Sequence, residues 1–152
     1  MKRAIRPIAP ADQEAVVQLW KASWHSIGIS NVHDDAVGHA ALMERLTVSL
    51  GTCWDVYVCE ADGALAGMLA IDPSTHELSQ LFVAPDHQGR GVGTALLAHA
   101  RALMPGSLWL TAAAENTRAR LWYERENFIL ERMDRNDAFD RDIAVYRWRP
   151  PR

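Results

Sequence analysis

Between Leu81 and Thr94 the chain reads Leu-Phe-Val-Ala-Pro-Asp-His-Gln-Gly-Arg-Gly-Val-Gly-Thr. An apolar strand stops at Pro85. Three glycines at alternate positions then lead into a helix predicted from Thr94 to about Met104. Glycine lets a backbone curl where a Cβ would clash. The first turn of such a helix offers unpaired N–H groups at the positive end of its dipole, a seat for a phosphate or pyrophosphate. Two commoner phosphate motifs are excluded. A P-loop needs Gly-Lys-Ser/Thr, and the only lysines are Lys2 and Lys21. A dinucleotide fingerprint needs Gly-x-Gly-x-x-Gly. Its last position falls on Thr94 counting from Gly89, and on Leu96 counting from Gly91. Two other groups carry chemistry. Ala119, Tyr123 and Asn127 are four apart and share one helical face, just after Asn116. Glu77 shares a strand face with Ser79, Leu81 and Val83.

The string Gln88-x-x-Gly91-x-Gly93, with Leu-Phe-Val-x-Pro before it, closely resembles the GCN5-related N-acetyltransferase (GNAT) family. Asn116-x-x-Ala119-x-x-x-Tyr123-x-x-x-Asn127-Phe128 resembles that family's second motif, with Asn127 where glycine is usual. Asparagine tolerates the left-handed backbone needed there. The resemblance implies acetyl-CoA (coenzyme A) as co-substrate and no metal. The backbone of Leu81, Phe82 and Val83 would pair with the pantetheine arm, their side chains belonging to the core. The pyrophosphate would lie on the N–H groups of Gln88, Gly89, Arg90, Gly91, Val92, Gly93 and Thr94. The Arg90 side chain has two readings, a charge-assisted phosphate contact or a solvated loop arginine. Asn116 would combine binding with capping, Ala119 would leave room for pantetheine, and Tyr123 would aim at the sulfur. A phenol with a pKa of about 10 can protonate a thiolate of about 8.5.

In several members of that family a glutamate placed like Glu77 acts as a general base, usually through water. An amine acceptor needs a proton removed before attack, since a lysine-type amine has a pKa of about 10.4. Glu77 could take that proton, attract a cationic substrate, or sit in solvent; His76 and Gln80 are alternatives for the same role. The acceptor pocket is expected from the first two helices and the loop between them, with Trp24, His25, Asn31 and His33 as substrate-binding candidates beside Glu77. The activity implied is N-acetyl transfer to a primary amine by direct attack in a ternary complex. The alternative is a non-catalytic acyl-CoA-binding or sensor domain on the same fold. The acceptor would be a small-molecule amine or a peptide or protein amine.

Positioning these residues requires a particular order of elements. Ile5–Ile8 reads as a strand, and Asp12 as the N-cap of a helix from Gln13 to Ser26. A second helix from Asp34 to Leu50 carries Val37, Ala41, Leu42 and Leu46 at helical spacing. Trp54–Cys59 and Leu65–Ile71 form a hairpin through Asp62-Gly63. Glu77–Val83 is the next strand, and Leu108–Ala112 one expected to be buried on both faces. Asn116 caps a helix running to about Glu126. Phe128–Leu130 and Ile143–Trp148 close the chain as strands, with the polar stretch Arg132–Arg141 between them. The expected class is α+β (mixed α/β), ordered β-α-α-β-β-β-α-β-α-β-β. The resemblance makes this the GNAT fold, with a central mixed, mostly antiparallel twisted sheet flanked by helices in a single domain over residues 1–152.

Bulk properties agree. At 152 residues the chain suits one domain with a sizeable core. A net charge of −3 gives no electrostatic case for nucleic acid. No apolar run approaches a membrane span of roughly 18 residues, and no secretory h-region follows the basic N-terminus, so a cytoplasmic location without a membrane partner is expected. Cys53 and Cys59 form neither a disulfide framework nor a metal pattern. Either a monomer or a homodimer is compatible.

Overall fold

The computed structural model describes residues 2–26, 36–137 and 140–151, without the side chains of residues 24–26 and 36–37. Its elements are β1 (Arg3–Pro7), α1 (Gln13–Ser26), α2 (Ala36–Thr52), β2 (Asp55–Ala61), β3 (Ala64–Asp72), β4 (Glu77–Val83), α3 (Val92–Leu103), β5 (Leu108–Ala113), α4 (Thr117–Arg125), β6 (Ile129–Asn136) and β7 (Arg141–Trp148). This is the order expected from sequence. The strands form one seven-stranded sheet in the order β1-β2-β3-β4-β5-β7-β6. Every neighbouring pair is antiparallel except β4 and β5.

Each face of the sheet carries its own core. Leu69, Ile71, Leu78, Leu108, Leu110 and Tyr146 lie under Val92, Leu96, Leu97 and Ala100 of α3 and Tyr123 of α4. Val56, Val58, Met68 and Ala70 lie under Val16, Val17 and Trp20 of α1 and Leu46 of α2. Successive β3 side chains therefore serve opposite cores, which is why that strand reads as a nearly unbroken apolar run. At Gly67 the layers close tightly. A Cβ there would stand 2.8 Å from the Phe82 carbonyl oxygen and 2.9 Å from Leu96 Cδ1.

Local chemistry sets the turns. Asp62 and Gly63 both have positive φ, 53° and 84°, the signature of the tight hairpin between β2 and β3. Asn127 ends α4 with φ 71°, the left-handed geometry expected of it.

Several expectations are corrected. Asp12 does not cap α1. It lies in a 3₁₀ turn, accepts from the Ala9 N–H at 2.7 Å and pairs with the Arg6 guanidinium at 2.6 Å. In α2 the inward side is Leu42, Met43, Leu46 and Leu50, with Ala41 exposed. Helix α3 begins at Val92 rather than Thr94, because burial of Val92 draws the first turn onto the core. Strand β5 is not buried on both faces: Leu108, Leu110 and Ala112 are buried while Thr111 is exposed. The segment Arg132–Arg141 is mostly strand, since β6 runs to Asn136 and meets Arg141 in register. One face of that hairpin is wet, so charged side chains such as Arg135 and Asp142 sit opposite each other without desolvation.

Candidate active site

The site originates in a fork. Strands β4 and β5 run parallel but pair only at Glu77 and Trp109, with one further bond from the Trp109 N–H to the His76 carbonyl at 3.1 Å. Beyond that point they separate. Within β4 the register against β3 steps from Leu78 to Gln80, leaving Ser79 bulged. A bulge bends its strand and sharpens the local twist, which helps turn β4 away from β5. Between them opens a cleft of about 530 Å³.

One wall is the free edge of β4. The Ala84 N–H bonds to the Ala66 carbonyl at 2.7 Å. Backbone groups in an antiparallel ladder alternate in direction, so those of Phe82 also face β3, while those of Leu81 and Val83 face the cleft. The Val83 carbonyl accepts from the Ser23 hydroxyl at 3.2 Å and from the Gln88 side-chain amide at 3.3 Å. The side chains of Leu81 and Val83 pack on the α3–α4 core and that of Phe82 on the α1–α2 core, 5.6 Å ring to ring from Trp20.

The mouth of the cleft is the glycine turn. Gly89 and Gly91 have φ of 77° and 86°, which L side chains rarely adopt. Gly91 is the N-cap of α3 and provides no side-chain cap, so the leading N–H groups of that helix are not covered by one. The Arg90 carbonyl is held by Arg3 Nη1 at 3.2 Å. Gln88, Gly89, Gly91, Gly93 and Thr94 line the cleft. The side chain of Val92 belongs to the core, and Arg90 is not among the lining residues.

Helix α4 forms the opposite wall. Asn116 is its N-cap, its Oδ1 accepting the Ala119 N–H at 3.2 Å, and Asn116, Ala119, Trp122 and Tyr123 all face the cleft. Tyr123 is 8% exposed, its ring 5.0 Å from Trp122 and 5.4 Å from Phe128. Burial raises its pKa well above the ordinary phenol value, so the hydroxyl carries its proton across neutral pH.

Glu77 stands at the base of the fork, half-buried, and reaches the cleft only through Ser79, whose hydroxyl donates to Glu77 Oε1 at 2.9 Å. Burial raises its pKa; the Ser79 hydrogen bond and the Arg45 charge oppose that rise, and Asp72 adds to it. Asn31 and His33, and the side chains of Trp24 and His25, lie outside the described residues.

Other lining residues escaped the sequence reading. Ser23 is a polar residue three positions after Trp20 on the buried side of α1, a signal that helical periodicity does carry. Arg45 lies over the rings of Trp20 and Trp54, 5.4 and 5.6 Å from their centroids. Thr111 on β5, Arg118 and Arg125 on α4, Asn136 on β6 and Arg141 and Ile143 on β7 also line the cleft. Among the described residues no cluster of His, Cys, Asp or Glu could hold a metal ion, and no helix is long and apolar enough to cross a membrane.

A sheet forked between two parallel strands, with a glycine turn at its mouth and a helix across from it, is an acetyltransferase architecture. The chain belongs to the acetyltransferase (GNAT) domain family, whose model matches residues 52–130. No curated protein matches the sequence. Solved structures similar to it include PaiA N-acetyltransferase from Thermoplasma acidophilum in complex with coenzyme A, at 17% identity and TM-score 0.76, covering 99% of this chain and 100% of that one. The alanine N-acetyltransferase of a ribosomal protein from Escherichia coli is similar at 19% identity and TM-score 0.73, covering 97% and 94%. At such identities the likeness concerns the fold.

Proposed function

We propose that this chain is an acetyl-CoA-dependent N-acetyltransferase acting on a primary amine by direct attack in a ternary complex. The observation that carries the reading is the fork, because it leaves the backbone of Leu81 and Val83 unpaired by β5 and facing a cleft that Tyr123 also lines. An amide-containing pantetheine arm can add to such an edge as a further strand would. The leading N–H groups of α3 would seat the pyrophosphate.

In this mechanism a neutral amine attacks the thioester carbonyl, and its oxygen gains negative charge beside the Val83 N–H. As the tetrahedral species collapses, the C–S bond breaks and the sulfur takes the electron pair. Tyr123 hands its proton to that sulfur and regains one from solvent. Burial keeps the Tyr123 hydroxyl protonated, so its proton is in place when the thiolate departs. The surplus amine proton passes to Glu77, through water or by way of Ser79.

The test is release of free thiol from acetyl-CoA in the presence of an amine panel: a peptide α-amine, a lysine peptide, a polyamine, a free amino acid and an amine-bearing antibiotic. Release with at least one amine is expected. Coenzyme A binding without release for any of them would overturn the enzymatic reading in favour of a non-catalytic acyl-CoA-binding domain.

A further inference from the structure

Strand β6 ends the sheet. Its side chains are mostly exposed, including the apolar Ile129 (71%), Leu130 (41%) and Met133 (50%). Between them runs Glu131-Arg132-Met133-Asp134-Arg135. The charges of this run invert about Met133, so the sign one or two residues before it is opposite to the sign at the same distance after it.

We propose that β6 pairs antiparallel with β6 of a second copy about a twofold axis at Met133, joining the two sheets. This arrangement sets Arg132 opposite Asp134 of the partner subunit, twice by symmetry, and the two side chains share one face of the sheet. Met133 meets its own copy, covering exposed apolar surface. Oppositely charged cross-strand pairs stabilise a ladder and like charges destabilise it. A slip of two residues, the smallest that keeps each side chain on its own face, sets Arg132 or Asp134 against its own copy, so the charges select one register. Charges on an edge strand commonly discourage pairing, but that protection operates only where facing signs are alike, and here they are opposite.

The existing contacts allow the exchange. Arg132 and Asp134 pair within the strand at 3.5 Å with both side chains more than half exposed, a weak interaction in solvent. Glu131 bonds Arg147 at 2.9 Å, and Arg135 lies among Asp137, Asp140 and Asp142, so these flanking charges are engaged within each subunit. The bulge at Glu131 bends β6 there and keeps the paired run short. The opposite sheet edge lacks this complementarity: β1 holds Arg3 and Arg6, no acid, and Pro7, which has no N–H to donate.

The test is sedimentation or light scattering of the whole chain over a concentration series, with circular dichroism to verify folding. The wild type is expected to dimerise in the micromolar range, more weakly at high salt. Arg132→Asp should raise the dissociation constant about tenfold or more, since it opposes two acids at two symmetric places. The double swap Arg132→Asp with Asp134→Arg restores the inverted pattern and should restore the dimer. Met133→Lys, which opposes two lysines on the axis, should also dissociate it and stands in if the other single variant fails to fold. A wild type that stays monomeric, a dimer indifferent to both single variants, or a double swap that remains dissociated would each overturn the proposal. None of these outcomes bears on the catalytic reading.

Discussion

Replacing Tyr123 by phenylalanine removes one hydroxyl from the cleft and leaves the packing in place. The ring is 8% exposed and held between Trp122 at 5.0 Å and Phe128 at 5.4 Å, contacts that phenylalanine reproduces. Stability should therefore change by less than about 1 kcal/mol, since no apolar area is lost and no cavity forms. The catalytic loss should be far larger. A positioned general acid contributes about 10²–10⁴ in rate, which is about 2.7–5.4 kcal/mol of barrier. The assay is thiol release from acetyl-CoA with whichever amine the panel identifies, run beside calorimetric titration with coenzyme A. We expect kcat to fall at least about 100-fold, at the lower bound for a general acid, with coenzyme A affinity nearly unchanged. Turnover of the variant within a few-fold of wild type, with intact binding, would refute the acid role and leave Tyr123 as a core aromatic. Loss of coenzyme A binding in proportion to kcat would instead make the hydroxyl a cofactor contact.

Three further predictions follow from specific contacts. Glu77 is a carboxylate whose pKa is raised by burial, so on raising the pH the unfolded chain loses this proton first and unfolding is favoured; Glu77→Gln should raise the melting temperature at neutral pH, with the gain vanishing below a pH of about 4. If Glu77 is also the base, the acid limb of the wild-type rate profile should lie above the ordinary carboxylate range and disappear in the variant. Gly67→Ala should cost about 1–3 kcal/mol by overpacking, read by denaturant unfolding, because a Cβ there stands 2.8 Å from a β4 carbonyl oxygen that cannot swing aside. Asn116→Ala should cost about 0.5–2 kcal/mol for the lost cap and weaken coenzyme A binding if the same side chain also meets the cofactor; serine at this position should rescue stability more than binding.

What could be read from sequence was what short-range chemistry decides. Asp62-Gly63 and Asn127 readily accept left-handed backbone at a turn and a helix end, and they adopt it there. The apolar run of β3 is set by burial on two faces, and the glycine turn by its own φ angles. The features that were missed depend on partners distant in the chain. Strand β5 shows Thr111 to a cleft because β4 diverges from it, and nothing near Thr111 encodes that divergence. The second half of β6 reads as a polar loop because apolar alternation is the cue for a strand, whereas an edge strand with a wet face can hold its ladder with charged cross-strand pairs. Arg45 lines the cleft while stacking over Trp20 of α1 and over Trp54, just before β2. Ser23 was the exception, a polar residue at a buried helical position whose meaning periodicity alone could have flagged.

The Val83 carbonyl links the two sides of the sheet. It accepts one hydrogen bond from Ser23 of α1 and one from Gln88 of the glycine turn. Glycine turn, strand end and the helix on the opposite face are thereby tied at a single peptide oxygen. In the proposed mechanism the neighbouring Val83 N–H stabilises the oxyanion, and such a donor helps only if its direction is fixed before the charge appears. A peptide plane gripped at its residue's oxygen from two elements is less free to rotate than one at a bare strand end. The donor would enter from the α3–α4 side and the amine from the α1–α2 side, where Ser23 and Arg45 reach the fork. On that reading the parting of β4 from β5 would do two things at once: free the edge that takes the thioester, and open the passage through which a nucleophile meets it.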